Sequence, residues 1–474
     1  MSIAQKVAHN TIIQFAAKVI SIILGVAIVA IMTRYLGAAG FGQYSTVIAY
    51  LQLFAIIIDF GLALTIIKLI AKQPEKEGEI ANNVLSFRLV SALIFLGLAP
   101  LVALFFPYPL IIKIGIAVTA AAFLFNSLNQ ILVSLFQKNF RMDQNSAAEI
   151  GGRVILLIAV IIAAYYNFGL LGMLVAQIVS SFITLAINLA FTQKWFKFRW
   201  QFDRQIWRDI ILTTWPIAVT ITFNLIYYKA DTIILSLVRS EAEVGIYGAT
   251  YRVLEILTQF PFLFVGLVFP ILSAAFIAVD WDRYKKVLQK SFDFLAIVAI
   301  PMAIGAQFVA KPLMIFVAGP DFSAAGDVLR IIIIAAAVIF MNAIFGYNIV
   351  VINKQKVIIP AYIITAIIAV VGYLIFIPRY SYFGAAAMTV FSESLILFFN
   401  VLISYRATKI LPNLIIFGKA LLASLIMAGG LYLMRDLNLW LTLLSAIAIY
   451  LIALYLLKGV TKSMILEIIK ADKV

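Results

Sequence analysis

The feature that most constrains this chain is a succession of apolar runs, each about 20 to 30 residues long and set apart by short polar breaks, that continues along the whole sequence. A helix needs about 20 residues to cross roughly 30 Å of hydrocarbon, so each run is long enough to span a membrane. Composition agrees, with 64% of the 474 residues apolar, 12% charged and a mean hydropathy of +1.09. These values describe an integral membrane protein and not a set of soluble domains. The expected fold class is all-α polytopic, with about 14 transmembrane helices.

The first six spans fall near 10–33, 43–70, 82–105, 109–136, 146–166 and 169–192, and the next six near 209–237, 244–277, 287–309, 323–352, 357–377 and 382–405. A last pair lies near 414–434 and 438–457. Loop charge tests this map, because Lys and Arg gather on the cytoplasmic side of short loops. With the N-terminus inside, the inner segments carry about 23 Lys or Arg and the outer loops about 5, namely Arg34, Arg239, Lys311, Arg379 and Arg435. An even number of spans with both termini cytoplasmic follows. The opening MSIAQKVAHNTIIQFAAKV lacks the short apolar core and cleavage site of a signal peptide, so the first helix is expected to stay as a span.

A net charge of +15 would suggest nucleic acid for a soluble protein, but here the bases sit at membrane loops, and no nucleic-acid partner is expected. With no cysteine, disulfides, thiol catalysis and iron–sulfur ligation are excluded. His9 is the single histidine and stands at the entrance to the first span, where it has no partner for a metal site. No glycine loop of the nucleotide-hydrolysing kind occurs, and neither a cofactor nor an enzymatic activity is expected.

The densest inner loop is TQKWFKFRWQFDRQIWRD, Thr192 to Asp209. It reads either as an amphipathic linker on anionic headgroups or as an ordinary connector obeying the positive-inside rule. Either way it divides the chain into an N-lobe over 1–192, a basic linker over 193–208, a C-lobe over 209–410 and a helix pair with a cytoplasmic tail over 411–474. The lobes look like repeats. FGLLGMLV from Phe168 is matched by FGAAAMTV from Phe383, Gly42-Gln43-Tyr44 by Gly245-Ile246-Tyr247, and FQKN at Phe136 by INKQ at Ile352. A shared order of landmarks over an even number of helices points to two pseudo-symmetric six-helix bundles plus a C-terminal pair.

Two stretches carry a family likeness. Arg34-Tyr35-Leu36-Gly37 leads to Phe41-Gly42-Gln43-Tyr44 after a first span that opens Asn10-Thr11, and Gly245-Ile246-Tyr247 leads to Tyr251-Arg252. In these the chain resembles polysaccharide-exporting flippases of the Wzx type, within the multidrug/oligosaccharidyl-lipid/polysaccharide (MOP) transporter superfamily. The resemblance implies alternating access between two lobes, moving a polyprenyl-(pyro)phosphate-linked oligosaccharide from the cytoplasmic to the outer leaflet for cell-surface polysaccharide biosynthesis. It also implies a multi-pass monomer in the plasma or inner membrane that meets membrane lipids, with proton or sodium coupling and glycan-assembly enzymes as partners. Lipid II flippases share the plan, so the glycan is left open. Within the opening motif, the glycines are expected to turn the chain and Arg34 and the tyrosines to anchor at the headgroups.

Eight bases fall in or near spans: Lys18, Lys68, Arg88, Lys113, Arg153, Lys229, Arg252 and Arg330. A charge at a helix centre costs about 2.5 to 3.5 kcal/mol on insertion scales, so deep ones should face a cavity or a partner. Lys68 and Lys113 lie near helix ends and can snorkel. Lys18, Arg153, Lys229 and Arg252 are the candidate substrate-binding residues, since guanidinium and ammonium groups suit a pyrophosphate. The alternative is internal pairing: Glu149 with Arg153 at i, i+4 and Arg252 with Glu255 at i, i+3, whereas Lys18 has no acidic neighbour in sequence. Asp59, Asp231, Glu255 and Glu393 are candidate ion-coupling sites or counter-ions. Among intramembrane prolines such as Pro216, Pro301 and Pro360, Pro261 and Pro270 stand out as hinge candidates because both lie in the eighth span.

Two competing functions remain. A cation-coupled multidrug exporter would want a cavity dominated by carboxylates, and here deep bases at least match deep acids. A membrane glycan polymerase or ligase would want a sizeable outer loop or an acidic cluster, and the longest outer break, near Lys311 to Asp327, is short and largely apolar.

Overall fold

In hydrocarbon an unpaired N–H or C=O finds no water, so a chain that crosses a bilayer closes its hydrogen bonds within helices or a closed barrel. The computed structural model of this chain follows the helical route: the described residues, 3–59, 61–193, 195–434 and 437–460, form thirteen α-helices and no strand. Side chains are described except for those of residues 3–12, 15, 63, 64, 68 and 215–228. The side chains of His9, Asn10, Thr11, Lys68 and Pro216, together with Arg435 and the tail over 461–474, therefore lie outside the described residues.

The first half comprises α1 (Ile3–Asp59), α2 (Leu62–Lys72), α3 (Glu77–Ala103), α4 (Leu110–Lys138), α5 (Met142–Tyr165) and α6 (Gly169–Thr192). There follow α7 (Arg204–Val238), α8 (Glu241–Ile277), α9 (Trp281–Ala318), α10 (Ser323–Val351), α11 (Gln355–Thr408), α12 (Ile415–Leu433) and α13 (Leu439–Leu456). α1 and α11 each serve two spans. α1 breaks at Gly37, whose φ of 64° and ψ of −178° are essentially confined to glycine, and α11 breaks at Ser381. With α2 continuing the second span past Asp59, the helices follow the fourteen predicted spans in order.

The two halves are pseudo-symmetric in detail as well as in order. α4 ends with the Arg141 N–H donating to Phe136 O at 2.9 Å around Phe140 (φ 54°), and α10 ends with the Lys354 N–H donating to Ile349 O at 2.9 Å around Asn353 (φ 55°). The same left-handed ending also closes α5 around Asn167, α8 around Val279 and α13 around Lys458, and at the α4 and α10 ends it falls at matching points of the two halves. Asn188 Nδ2 on α6 donates to Asn129 Oδ1 on α4 at 2.6 Å, and Asn400 Nδ2 on α11 donates to Asn342 Oδ1 on α10 at 2.8 Å. Interhelical carboxamide bonds of this kind fix register where helices share no hydrophobic drive to associate. Phe140 and Asn353 are 213 residues apart (353 − 140), so the FQKN and INKQ stretches, 216 apart (352 − 136), lie three residues out of structural register.

Contacts divide the chain into two compact units, Met1–Ala249 with Tyr373–Ser381, and Thr250–Gly372 with Tyr382–Val474. In the first, Leu62, Ile66, Val84, Leu85, Leu132 and Phe136 form a buried core among α2, α3 and α4. In the second, residues of α8 to α11 gather around Leu295, Ala299 and Phe345, and α12 and α13 pack on α9, where the Tyr450 hydroxyl donates to Ile297 O at 2.7 Å. The linker before α7 is tied to α3. The N–H groups of Arg199, Gln201 and Asp203 donate to Asn82 Oδ1, Ser86 Oγ and Asn83 Oδ1 at 2.8, 3.1 and 2.7 Å.

Candidate functional site

The opening motif and its echo touch each other. A Cβ on Gly42 would stand 1.7 Å from the Glu241 carbonyl oxygen and 2.9 Å from the Gly245 nitrogen; a Cβ on Gly245 would stand 1.9 Å from the Ala38 carbonyl oxygen and 3.0 Å from the Gly42 nitrogen. The contact is reciprocal, since the offset that relates Gly42 to Gly245 also relates Ala38 to Glu241. Only glycine lets backbones approach so closely, as small residues do at membrane helix crossings. Gln43 Nε2 donates to Glu241 Oε2 at 2.8 Å beside it. α8 starts here from a capping box in which the Ser240 N–H donates to Glu243 Oε2 at 3.1 Å and the Glu243 N–H to Ser240 Oγ at 3.3 Å.

The tyrosines of these motifs are not headgroup anchors. Tyr44 is buried against Phe41, Tyr247 is fully buried, and the half-buried Tyr35 hydroxyl accepts the Gly169 N–H at 2.8 Å; only Arg34 is exposed. The Tyr44 and Tyr247 rings are taken up in helix packing, and Tyr35 ties α1 to the start of α6.

α1 and α5 bring three charges to one seam. Lys18 Nζ lies 3.8 Å from Glu149 Oε1, with both side chains about a third exposed, at 30% and 37%. Further along, Arg153 reaches across so that Nη1 lies 3.4 Å from where a Cβ on Gly25 would be. Lys18 and Gly25 are about two turns apart on α1 and Glu149 and Arg153 about one on α5, so the seam is a short ladder of base, acid and base. Glu149 meets Lys18, a pairing that sequence spacing could not show because the two residues are on different helices.

The candidate coupling acids of the first unit, Asp59 and Asp231, are both engaged. Asp59 Oδ1 is 3.0 Å from Arg88 Nη2, and the guanidinium, 1% exposed, also donates to Ile58 O at 2.6 Å, to Ser127 O at 3.1 Å and to Gln130. Arg88 thus takes up the carbonyl left open where α1 stops, a role not anticipated from the sequence. The available signal was an arginine and an aspartate in neighbouring spans, the aspartate two residues before Gly61. Asp231 is buried and accepts hydrogen bonds from the Tyr247 hydroxyl at 2.5 Å, from the Thr232 N–H at 2.5 Å and from the Thr232 hydroxyl at 3.1 Å, with buried Lys229 adding its charge.

In the second unit Arg252 Nη1 lies 2.7 Å from Glu255 Oε2 on the same helix face. Glu393 is buried, at 4% exposure, and Pro261 and Pro270 lie inside the continuous α8. Among the described residues no group of three or more His, Cys, Asp or Glu could hold a metal ion.

Comparison with known proteins agrees with this architecture. The family model described as polysaccharide biosynthesis protein matches residues 7–276, more than half of the chain. The "Probable low-salt glycan biosynthesis flippase Agl15" of Haloferax volcanii is 24% identical over 437 residues, which cover 90% of this chain and 89% of that one. Among solved structures, the lipid II flippase MurJ in an inward closed conformation is similar with a TM-score of 0.78 at 15% identity, over 94% of this chain and 98% of that chain. An inward-facing MATE multidrug transporter of the MOP superfamily follows with a TM-score of 0.67 at 13% identity, over 84% of this chain and 98% of that one. At such identities the structures speak to the fold alone.

Proposed function

The chain belongs to the polysaccharide biosynthesis protein family, and from that membership we propose that it is a flippase carrying a polyprenyl-(pyro)phosphate-linked oligosaccharide from the cytoplasmic to the outer leaflet of the cell membrane. The observation that carries this reading is the seam of Lys18, Glu149 and Arg153, where Lys18 pairs with Glu149 and Arg153 lies further along beside Gly25, so that two bases stand with one acid. The surplus positive charge suits a diphosphate, to which arginine offers a planar fork of donors and lysine a compact charge. The flippase name of the full-length Haloferax volcanii relative and the MurJ-like fold support it.

A multidrug exporter of cationic cargo is disfavoured by the state of the acids. Asp59 and Glu255 are salt-bridged to arginine, and Asp231 accepts three hydrogen bonds beside Lys229. Carboxylates so engaged are poor partners for an incoming cation.

In the proposed mechanism both termini are cytoplasmic and the Gly42–Gly245 contact closes the outer side. Exit of the cargo then requires those helices to part, with Pro261 and Pro270 giving α8 the freedom to bend. Lys18 and Arg153 receive the diphosphate from the inner side with Lys229 as a further base, Arg252 of the other unit is a separate candidate contact for the cargo, and Glu393 is the site through which a proton or sodium gradient would act. Cells lacking the protein should accumulate the lipid-linked intermediate in the inner leaflet. Lys18→Ala or Arg252→Ala chains, expressed and folded at the normal level, should fail to clear it. Normal clearance by both variants would remove the cationic contacts from the account.

A further inference from the structure

We propose that the segment over 197–208 is a docking surface for the anionic headgroups of membrane lipids, built independently of the cargo path. Its backbone is held in place: the buried side chains of Asn82, Asn83 and Ser86 on α3 accept the N–H groups of Arg199, Asp203 and Gln201 in turn. A connector that merely obeyed the positive-inside rule would need its charges and not this fixation. The clamp leaves Phe198, Trp200 and Phe202 turned outward at 43%, 57% and 64% exposure, with Phe202 steadied against Trp207 at 4.7 Å. Lys197, Arg199, Arg204 and Arg208 are exposed among them. Of the two local acids, Asp203 is occupied in capping α7 through the Ile206 N–H at 2.9 Å, and Asp209 lies at the far end.

The occupant follows from charge and position. The segment joins the ends of α6 and α7, two membrane spans, so it stands where the chain leaves the hydrocarbon and meets headgroups. Aromatic rings seat at that level, and lysine or arginine beside them attracts anionic lipid. Because the backbone is already ordered, binding costs little further conformational entropy.

The test uses the full-length chain in nanodiscs containing shallow-brominated phosphatidylglycerol or shallow-brominated phosphatidylcholine. The Trp200 signal is obtained as the difference between the wild type and Trp200→Phe. Trp200 should be quenched preferentially by the anionic lipid. The quadruple variant Lys197→Gln, Arg199→Gln, Arg204→Gln, Arg208→Gln should reduce that preference by about tenfold or more while keeping its melting temperature. Should the quadruple variant fail to fold, Arg199→Gln with Arg208→Gln should show a smaller fall in the same direction. Equal quenching by the two lipids, or a preference that survives the substitutions, would overturn the proposal. So would displacement of the preference by soluble glycerol phosphate, which would assign the site to free phosphate. None of these readouts involves cargo movement, so their failure leaves the flippase reading where it stood.

Discussion

At the scale of single residues, the strongest constraints are on groups that tolerate no replacement for geometric reasons. Gly42 is the clearest, because a methyl group there would overlap the Glu241 carbonyl oxygen, and backbone cannot move aside as a side-chain tip can. Gly42→Ala should destabilise the detergent-solubilised protein by about 1 to 3 kcal/mol, the usual range for overpacking, and should abolish transport. Gly97, on α3, faces open space, so Gly97→Ala should leave the melting temperature unchanged or raise it slightly, with a gain of about 0.5 to 1 kcal/mol from helix propensity. Thermal unfolding of the pair checks both signs at once. Arg88 is constrained electrostatically. Arg88→Met leaves Asp59 charged beside unsatisfied carbonyls and should cost about 3 to 5 kcal/mol, whereas Asp59→Asn, which keeps a polar group for the guanidinium, should cost less. Equal melting temperatures for the two variants would contradict the view that Arg88 secures the break between α1 and α2.

At the scale of elements, hydropathy made the helices legible and charge made their order testable, because span length and loop bias follow from the bilayer itself. The breaks at Gly37 and Ser381 were likewise visible as short polar interruptions. What could not be read were relations between helices. Lys18 looked isolated because its acid, Glu149, is on α5, and Glu149 looked committed to Arg153 because only intrahelical spacing is written in sequence. The motif echo was visible, but not that its two copies touch, since a close glycine approach leaves no mark beyond the glycines themselves. Low-complexity apolar sequence also misled the alignment of FQKN with INKQ by three residues, about one turn, while the helix endings and buried asparagine pairs hold the register. A prediction belongs to this scale: Asn129→Leu and Asn342→Leu each remove one interhelical carboxamide bond, to Asn188 and Asn400, and should lower stability by about 0.6 to 1.7 kcal/mol, similarly in the two halves. Thermal unfolding in detergent measures it, and a large effect in one half alone would contradict the equivalence of the pairs.

At the scale of the whole molecule, the account joins a polysaccharide biosynthesis family fold, a reciprocal glycine contact and a seam with more base than acid. Its central claim is that an anionic lipid-linked glycan crosses the membrane by way of that seam. The most direct measurement follows a fluorescent polyprenyl-pyrophosphate oligosaccharide in vesicles reconstituted with the purified protein, read with a quencher confined to one leaflet. The account predicts that the wild type moves the glycolipid and that Lys18→Ala with Arg153→Ala, folded to the same melting temperature, slows it by about tenfold to a hundredfold, as loss of charge-assisted bonds to phosphate should. Movement by the double variant at the wild-type rate, or failure of the wild type to move the glycolipid while it exports a cationic drug, would contradict it.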